Sequence, residues 1–277
     1  MSLNKAVLDI RNRQRVKPSA LDVPAASWTG RDVIESGEID TITIIFKTSG
    51  CWWGKAGGCT MCGYVYDSAQ GTPSDDDLMA QLEKAMRKTS DFDKFMVKIF
   101  TSGSFLDTKE ISLDVRHRIL TRLDEDERIV KVLAETRPEF VTAENVQDCV
   151  SVLRNTAFEV AMGLETSSDT IRKQSINKGF TFRQFTEAAV AARSNGATVK
   201  SYLMLKPLFL SEKEALEDIV QTIRDAAEYT DTFSINLCNV QRGTYVEYLW
   251  DRKHSLSAMA LEHCGYISRE LRKSSLI

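Results

Sequence analysis

With 277 residues, 43% of them hydrophobic, the chain can bury a sizeable core as one large α/β domain or two smaller ones. No apolar run approaches the roughly 18 residues that span a bilayer, and residues 1–20 carry charges where a signal peptide needs an apolar core, so a cytoplasmic protein is expected. Six cysteines in a chain this long make no disulfide framework, and a net charge of −3 is too acidic to predict nucleic-acid binding from charge alone.

Residues 5–17 carry Lys5, Arg11, Arg13, Arg15 and Lys17 against Asp9 alone. Residues 1–38 are therefore expected to form a basic arm, either suited to a phosphate backbone or merely solvated. The segment 39–50, IDTITIIFKTSG, is β-branched and then apolar between glycines, and predicts a buried strand. A cysteine-rich loop follows it directly. Ser74 caps the next helix, with Asp75, Asp76 and Asp77 at its positive end, Arg87 and Lys88 at its negative end, and Leu78, Leu82, Ala85 and Met86 as its buried stripe.

The alternation then repeats. Strands are predicted at 95–101, 129–136, 157–166, 198–208 and 232–240. The intervening helices are expected at 113–123, at 143–153, through Phe182, Phe185, Ala189 and Ala192 to a stop at Asn195–Gly196, and from a Ser211/Glu214 capping box to about residue 227. Strands separated by single helices imply a parallel sheet with right-handed crossovers and outer helices. The expected fold class is α/β, a partial (β/α)6 barrel, with its chemistry at the C-terminal strand ends.

Cys51, Cys59 and Cys62 occupy that position with the spacing C-x7-C-x2-C. A structural zinc is closed by four ligands, commonly two CxxC pairs, and the second pair is missing here. Cys149, Cys238 and Cys264 are scattered, and His117 reads as an ordinary helix histidine. A cubane 4Fe-4S cluster held by three cysteines leaves one iron open for a substrate or cofactor. Zinc remains as the alternative, in a non-catalytic scaffold that binds a partner.

In its βα context this loop resembles that of the radical S-adenosylmethionine (SAM) superfamily, over about residues 39–245. That span would be the core, and 246–277 a short tail. The family usually has three residues between its first two cysteines and an aromatic before the third. Here there are seven, and Met61 holds the aromatic position, which is similar to the elongator-like branch. The resemblance implies a 4Fe-4S cluster on Cys51, Cys59 and Cys62, a bound SAM, its reductive cleavage to a 5′-deoxyadenosyl radical, and a one-electron donor such as ferredoxin or flavodoxin. It also implies SAM contacts: Gly103 and Ser104 in TSGSF, Glu135 and Arg137 in ETRPE, Glu165 in GLET, Lys178 toward the carboxylate, Met61 and Tyr64 near adenine, and Lys206 lining the cavity. The plainer readings are an ordinary turn at 101–105, a buried Glu135–Arg137 ion pair and a solvated Lys206.

Together GCTMCGY, ETRPE, GLET, NKGFTF and RGTYVE resemble the archaeal archaeosine-biosynthesis branch, RaSEA. This resemblance implies action on tRNA with archaeosine synthase as partner. The partner attaches lysine to a cyano-deazaguanine base, and the radical enzyme cleaves a lysine carbon–nitrogen bond to leave the amidine of archaeosine. Another radical SAM tRNA-modifying enzyme is the alternative, although a methylthiotransferase would need an auxiliary cluster that the remaining cysteines do not offer. After RGTYVEYLWDRKH the relatives continue with a proline- and tryptophan-rich segment, whereas SLSAMALEHCGYISRELRKSSLI stands here. Codons for AMALEH, shifted by one base, read Pro-Trp-Leu-Trp-Ser. This predicts a frameshifted or truncated tail from about Ser255, which resequencing tests.

Overall fold

The computed structural model describes residues 2–14, 18–252, 267, 270 and 271. In chain order it begins with helix α1 (Leu3–Arg11) and a hairpin of β1 (Ala26–Ile34) and β2 (Gly37–Ile45). A four-residue turn of helix, α2 (Trp52–Lys55), lies in the cysteine loop. Then come α3 (Asp75–Met86), β3 (Phe95–Phe100), α4 (Leu113–Asp124), β4 (Ile129–Thr136), α5 (Ala143–Val152) and β5 (Ala157–Glu165). The short α6 (Asp169–Ile171) runs into a π turn (Arg172–Ile176), followed by α7 (Phe182–Ser194), β6 (Thr198–Leu205), α8 (Glu212–Ala226), β7 (Thr232–Leu237) and α9 (Tyr245–Asp251).

The seven strands form one sheet in sequence order, β1 antiparallel to β2 and every later neighbour parallel. Because each helix returns the chain to the adjacent position, the sheet curls into a half-barrel with helices outside. The six parallel strands are those that the apolar runs predict. The Ser74/Asp77 and Ser211/Glu214 capping boxes both form.

Side chains alternate across the sheet with the strand period of two. Phe95, Val97 and Ile99 face outward into the main core, with Ile42, Ile44, Val132, Val160 and Val199, against Leu82, Ile119, Val146, Phe185 and Ile219 of the helices. Met96, Leu133 and Ala161 pack with Phe100 and Tyr202 in a second, smaller cluster. Interleaved with that cluster on the same face, Lys98, Lys131, Glu159 and Lys200 form ion pairs, with Asp32 among them. The interior face of the sheet thus alternates apolar and charged side chains within the same layers.

Two elements stand where a basic arm is expected. Ser2 caps α1, whose Ala6, Val7, Ile10 and Arg11 are buried on one face. β1 is a mostly exposed edge strand, so its sequence lacks the apolar alternation that marks a half-buried one. The expected frameshift at Ser255 falls outside the described residues. Farther along, Ile267 and Leu271 are buried against the main core. Among the described residues no helix is long and apolar enough to cross a membrane.

Candidate metal and cofactor site

The cysteine loop leaves β2 at the C-terminal face and is pinned from three directions. The Thr60 backbone N–H donates to the Ile176 carbonyl at 2.9 Å, and its hydroxyl donates to that of Ser175 at 2.8 Å, tying the loop to the π turn after β5. Asn177, held at φ +57°, donates its side-chain amide to the Gly58 carbonyl at 2.7 Å. On the other side the Gly63 N–H donates to Gln241 Oε1 at 2.6 Å, and the Val246 N–H donates to the Thr60 carbonyl at 3.2 Å. Strand ends distant in sequence therefore fix the loop.

Cys51 caps α2, its sulfur accepting the Gly54 N–H at 3.4 Å. Burial pushes all three thiols up, Cys59 to about 11, and each is raised further by one of the other two. They hold their protons at neutral pH and release them when a positively charged group binds. Among the described residues no three His, Cys, Asp or Glu side chains gather closely enough for a single ion. Cys51, Cys59 and Cys62 lie near enough for each thiol to feel another's charge.

The predicted SAM contacts surround this loop in different states. Gly103 lies directly beneath it: a Cβ there would stand 2.7 Å from Cys51 Cα and 1.9 Å from Glu110 Oε1, so only glycine fits. Ser104 is fully buried and committed inside the protein, its N–H donating to Glu110 Oε1 at 2.9 Å and its hydroxyl accepting the Arg137 N–H at 3.0 Å. Lys178 and Glu165 form an ion pair at 2.6 Å. Glu165 ends β5 and Lys206 follows β6, both at positive φ of 66° and 65°, a strained conformation that collects at functional sites. The Lys206 amine donates to the Leu210 carbonyl, also lies 3.8 Å from Glu212, and so is not solvated.

Glu135 and Arg137 do not pair. Arg137 bonds Glu139 at 2.5 Å and lies against the rings of Trp52, Trp53 and Phe180. Among the described residues the Glu135 carboxylate takes no hydrogen bond. Burial pushes it up to about 7, against the pull of Lys178, with Glu165 and Glu110 adding to the rise. Tyr64 is 44% exposed at the rim, and Met61 packs with Leu208, Val246 and Leu249. Trp53 donates its indole N–H to the Asn177 carbonyl at 2.8 Å, while Trp52 is 43% exposed and bonds Glu139.

No protein-family model matches the chain. It is 64% identical over 252 residues to the archaeosine synthase subunit beta of Methanosarcina acetivorans, an alignment covering 91% of this chain and 73% of that protein. The chain belongs to the archaeosine synthase subunit beta family. Its fold is similar to that of methylornithine synthase (PylB), with a TM-score of 0.54 and 11% identity over 88% of this chain and 61% of that one. Elp3 of Methanocaldococcus infernus, lacking its N-terminal residues 1–46, matches with a TM-score of 0.50 and 17% identity over 66% and 46%. At these identities the likeness is one of fold, that of the radical SAM barrels.

In this beta-subunit chain several residues around the loop carry no motif in the sequence. Glu110 bonds Thr48 at 2.7 Å and Ser104 beneath Gly103, yet it sits in an ordinary loop sequence. Cys238 packs beside Met61, and both Glu165 and Lys206 influence its thiol, so it belongs to the rim. Arg11 touches the loop itself. His117, by contrast, is an ordinary helix histidine, paired with Asp148 at 2.7 Å.

Proposed function

We propose that this chain is the radical SAM component of archaeosine formation. In this reading Cys51, Cys59 and Cys62 hold a 4Fe-4S cluster and SAM binds at its open iron. The substrate is a lysine-modified deazaguanine in tRNA, whose carbon–nitrogen bond is cleaved to leave archaeosine. The observation that supports it is the set of three loop cysteines at the C-terminal strand ends of a fold similar to the radical SAM barrels, in a chain of the archaeosine synthase subunit beta family. When bound, the cluster and SAM supply one-electron chemistry and a 5′-deoxyadenosyl radical.

The chain's own residues position and shield. Gly103 lets the strand end close up against Cys51 and Glu110. The Lys178–Glu165 pair offers a cation and a carboxylate to the charged methionine end of SAM, and lysine does so as a point charge. Glu135 remains available as an acceptor, with Tyr64 and Met61 at the adenine side. Arg137, Trp52 and Trp53 close the wall next to Cys51 and keep water from it. Ser104 and Lys206 act from behind, holding Arg137 and the 206–210 turn in place. The catalytic core is the expected 39–245 span, joined by α1 and β1, with 246–277 as tail.

An RNA partner is supported by charge. Lys5, Arg13, Lys55 and Arg242 are exposed, Asn4 beside Lys5 reaches the Ala56 carbonyl, and Gln14 beside Arg13 lies against Gly243. These four cations form no ion pair among the described residues, and each is adjacent in sequence to a residue that touches the cysteine loop or its rim. A phosphate backbone is the chemistry they fit. Archaeosine synthase, as alpha subunit, and a low-potential donor such as ferredoxin or flavodoxin complete the system.

The test supplies anaerobically reconstituted protein with SAM, a reductant and tRNA bearing the lysine adduct. Archaeosine and 5′-deoxyadenosine should appear together. Deoxyadenosine without archaeosine would move the substrate to another tRNA base, and absence of both would overturn the reading.

A further inference from the structure

We infer that α1 is part of the metal site, and that Arg11 is the positioning residue that shapes the cysteine loop and places a fixed positive charge beside its thiolates. The charge part rests on the cluster reading above, and the clasp part does not.

The Arg11 side chain is buried, and the side-chain hydrogen bonds it makes all go to the loop, while its Nε has no partner. Its Nη1 donates to the Gly54 carbonyl at 3.0 Å, and its Nη2 donates to the carbonyls of Cys59 at 2.9 Å and Cys62 at 3.0 Å. One guanidinium thus connects the turn that follows Cys51 to the backbone of the other two cysteines. The loop is cut to receive it: Gly58 sits at φ +82°, and a Cβ there would come within 2.5 Å of Nη1. A second contact from the same helix reinforces the clasp, Asn4 donating to the Ala56 carbonyl at 2.8 Å and accepting from Asn177 at 2.8 Å. No carboxylate pairs with Arg11 among the described residues, so its charge is directed at the loop.

Two consequences follow. Bonds to three carbonyls of an otherwise irregular loop fix the spacing of the thiols before any metal binds. A buried cation beside the ligands also favours the more negative state of whatever they hold. For a 4Fe-4S cluster taking one electron from a low-potential donor, that raises the reduction potential.

The experiment compares wild type with Arg11→Met, Arg11→Lys and Asn4→Ala. In metal-free protein, alkylation of Cys59 and Cys62 by iodoacetamide should be about tenfold faster in Arg11→Met, because the loop opens more readily. Asn4→Ala should produce a smaller increase. In reconstituted protein, the cluster midpoint from an EPR-monitored redox titration should shift negative in Arg11→Met and return toward wild type in Arg11→Lys, which keeps the charge. Wild-type alkylation rates in Arg11→Met overturn the clasp, and an unshifted midpoint overturns the charge role. Should Arg11→Met fail to fold, the Arg11→Lys and Asn4→Ala alkylation rates decide: wild-type rates in both would overturn the clasp. Should wild type itself take up no iron, the cluster reading and the charge role fail together, and alkylation alone decides the clasp.

Discussion

Asp32 of β1 accepts a hydrogen bond from Lys200 of β6 at 2.9 Å, joining the first strand of the sheet to the sixth across the inside of the half-barrel. The same carboxylate lies 2.5 Å from Lys98 of β3. Burial pushes the Asp32 carboxyl up, but the two lysines outweigh it and hold it well below the usual carboxylate range. Asp32→Ala would leave two lysines facing each other without a counter-charge. Because Asp32 keeps 20% of its side chain exposed, the expected loss is about 2–3 kcal/mol, short of the roughly 3–5 of a fully buried pair. Urea unfolding at neutral pH measures it. In wild type this contribution is present above the ordinary aspartate pKa of about 4 and is lost as the solution is acidified below it.

Gly103→Ala tests the closeness of the strand end to the loop. The new Cβ would press on Cys51 Cα, which is backbone and cannot swing away. Iron uptake per folded chain should fall several-fold while far-ultraviolet circular dichroism stays that of wild type. Full iron uptake would show that the loop has slack there.

Glu110 should give metal-free protein a pH-dependent stability. Its carboxyl is pushed up to about 7, burial outweighing the bonds from Thr48 and Ser104. The folded state therefore binds more protons than the unfolded state between about pH 4.5 and 7, so stability declines as pH rises through that window. Glu110→Gln should remove up to about 3 kcal/mol of that decline. The difference between the two denaturation profiles isolates Glu110 from Glu135, which acts in the same direction.

Charge reversal at Lys5, Arg13, Lys55 and Arg242 should weaken tRNA binding. Neutralising them singly should lower the slope of log affinity against log salt by about 0.7–0.9 for each phosphate left without its cation. Binding that keeps its full slope in all four variants would place the RNA elsewhere on the molecule.

The parallel strands β2 to β6 were legible as apolar, largely buried runs, and β7, a half-exposed edge, as the run that continues their alternation with helices. The cysteine loop was legible as a donor set. β1 was hidden because an edge strand needs no apolar alternation, and Asp32, which it turns toward the interior, is charged. α1 was hidden because Arg11 reads as surface charge, whereas its burial depends on three carbonyls some 43 to 51 residues away. The partner of Arg137 was equally unreadable, since Glu135 and Glu139 flank it symmetrically in sequence and only the turn at Pro138–Phe140 chooses between them.

The measurement that bears most directly on the central claim is iron, acid-labile sulfide and zinc per chain after anaerobic reconstitution, with SAM cleavage followed on the same samples. Wild type should hold close to four irons and four sulfides, as a cubane requires, and should release 5′-deoxyadenosine under reductant. Cys59→Ala should lose cluster and cleavage while remaining folded. One zinc per chain with no sulfide, and a Cys59→Ala variant that unfolds, would contradict the account and make the loop a structural metal site.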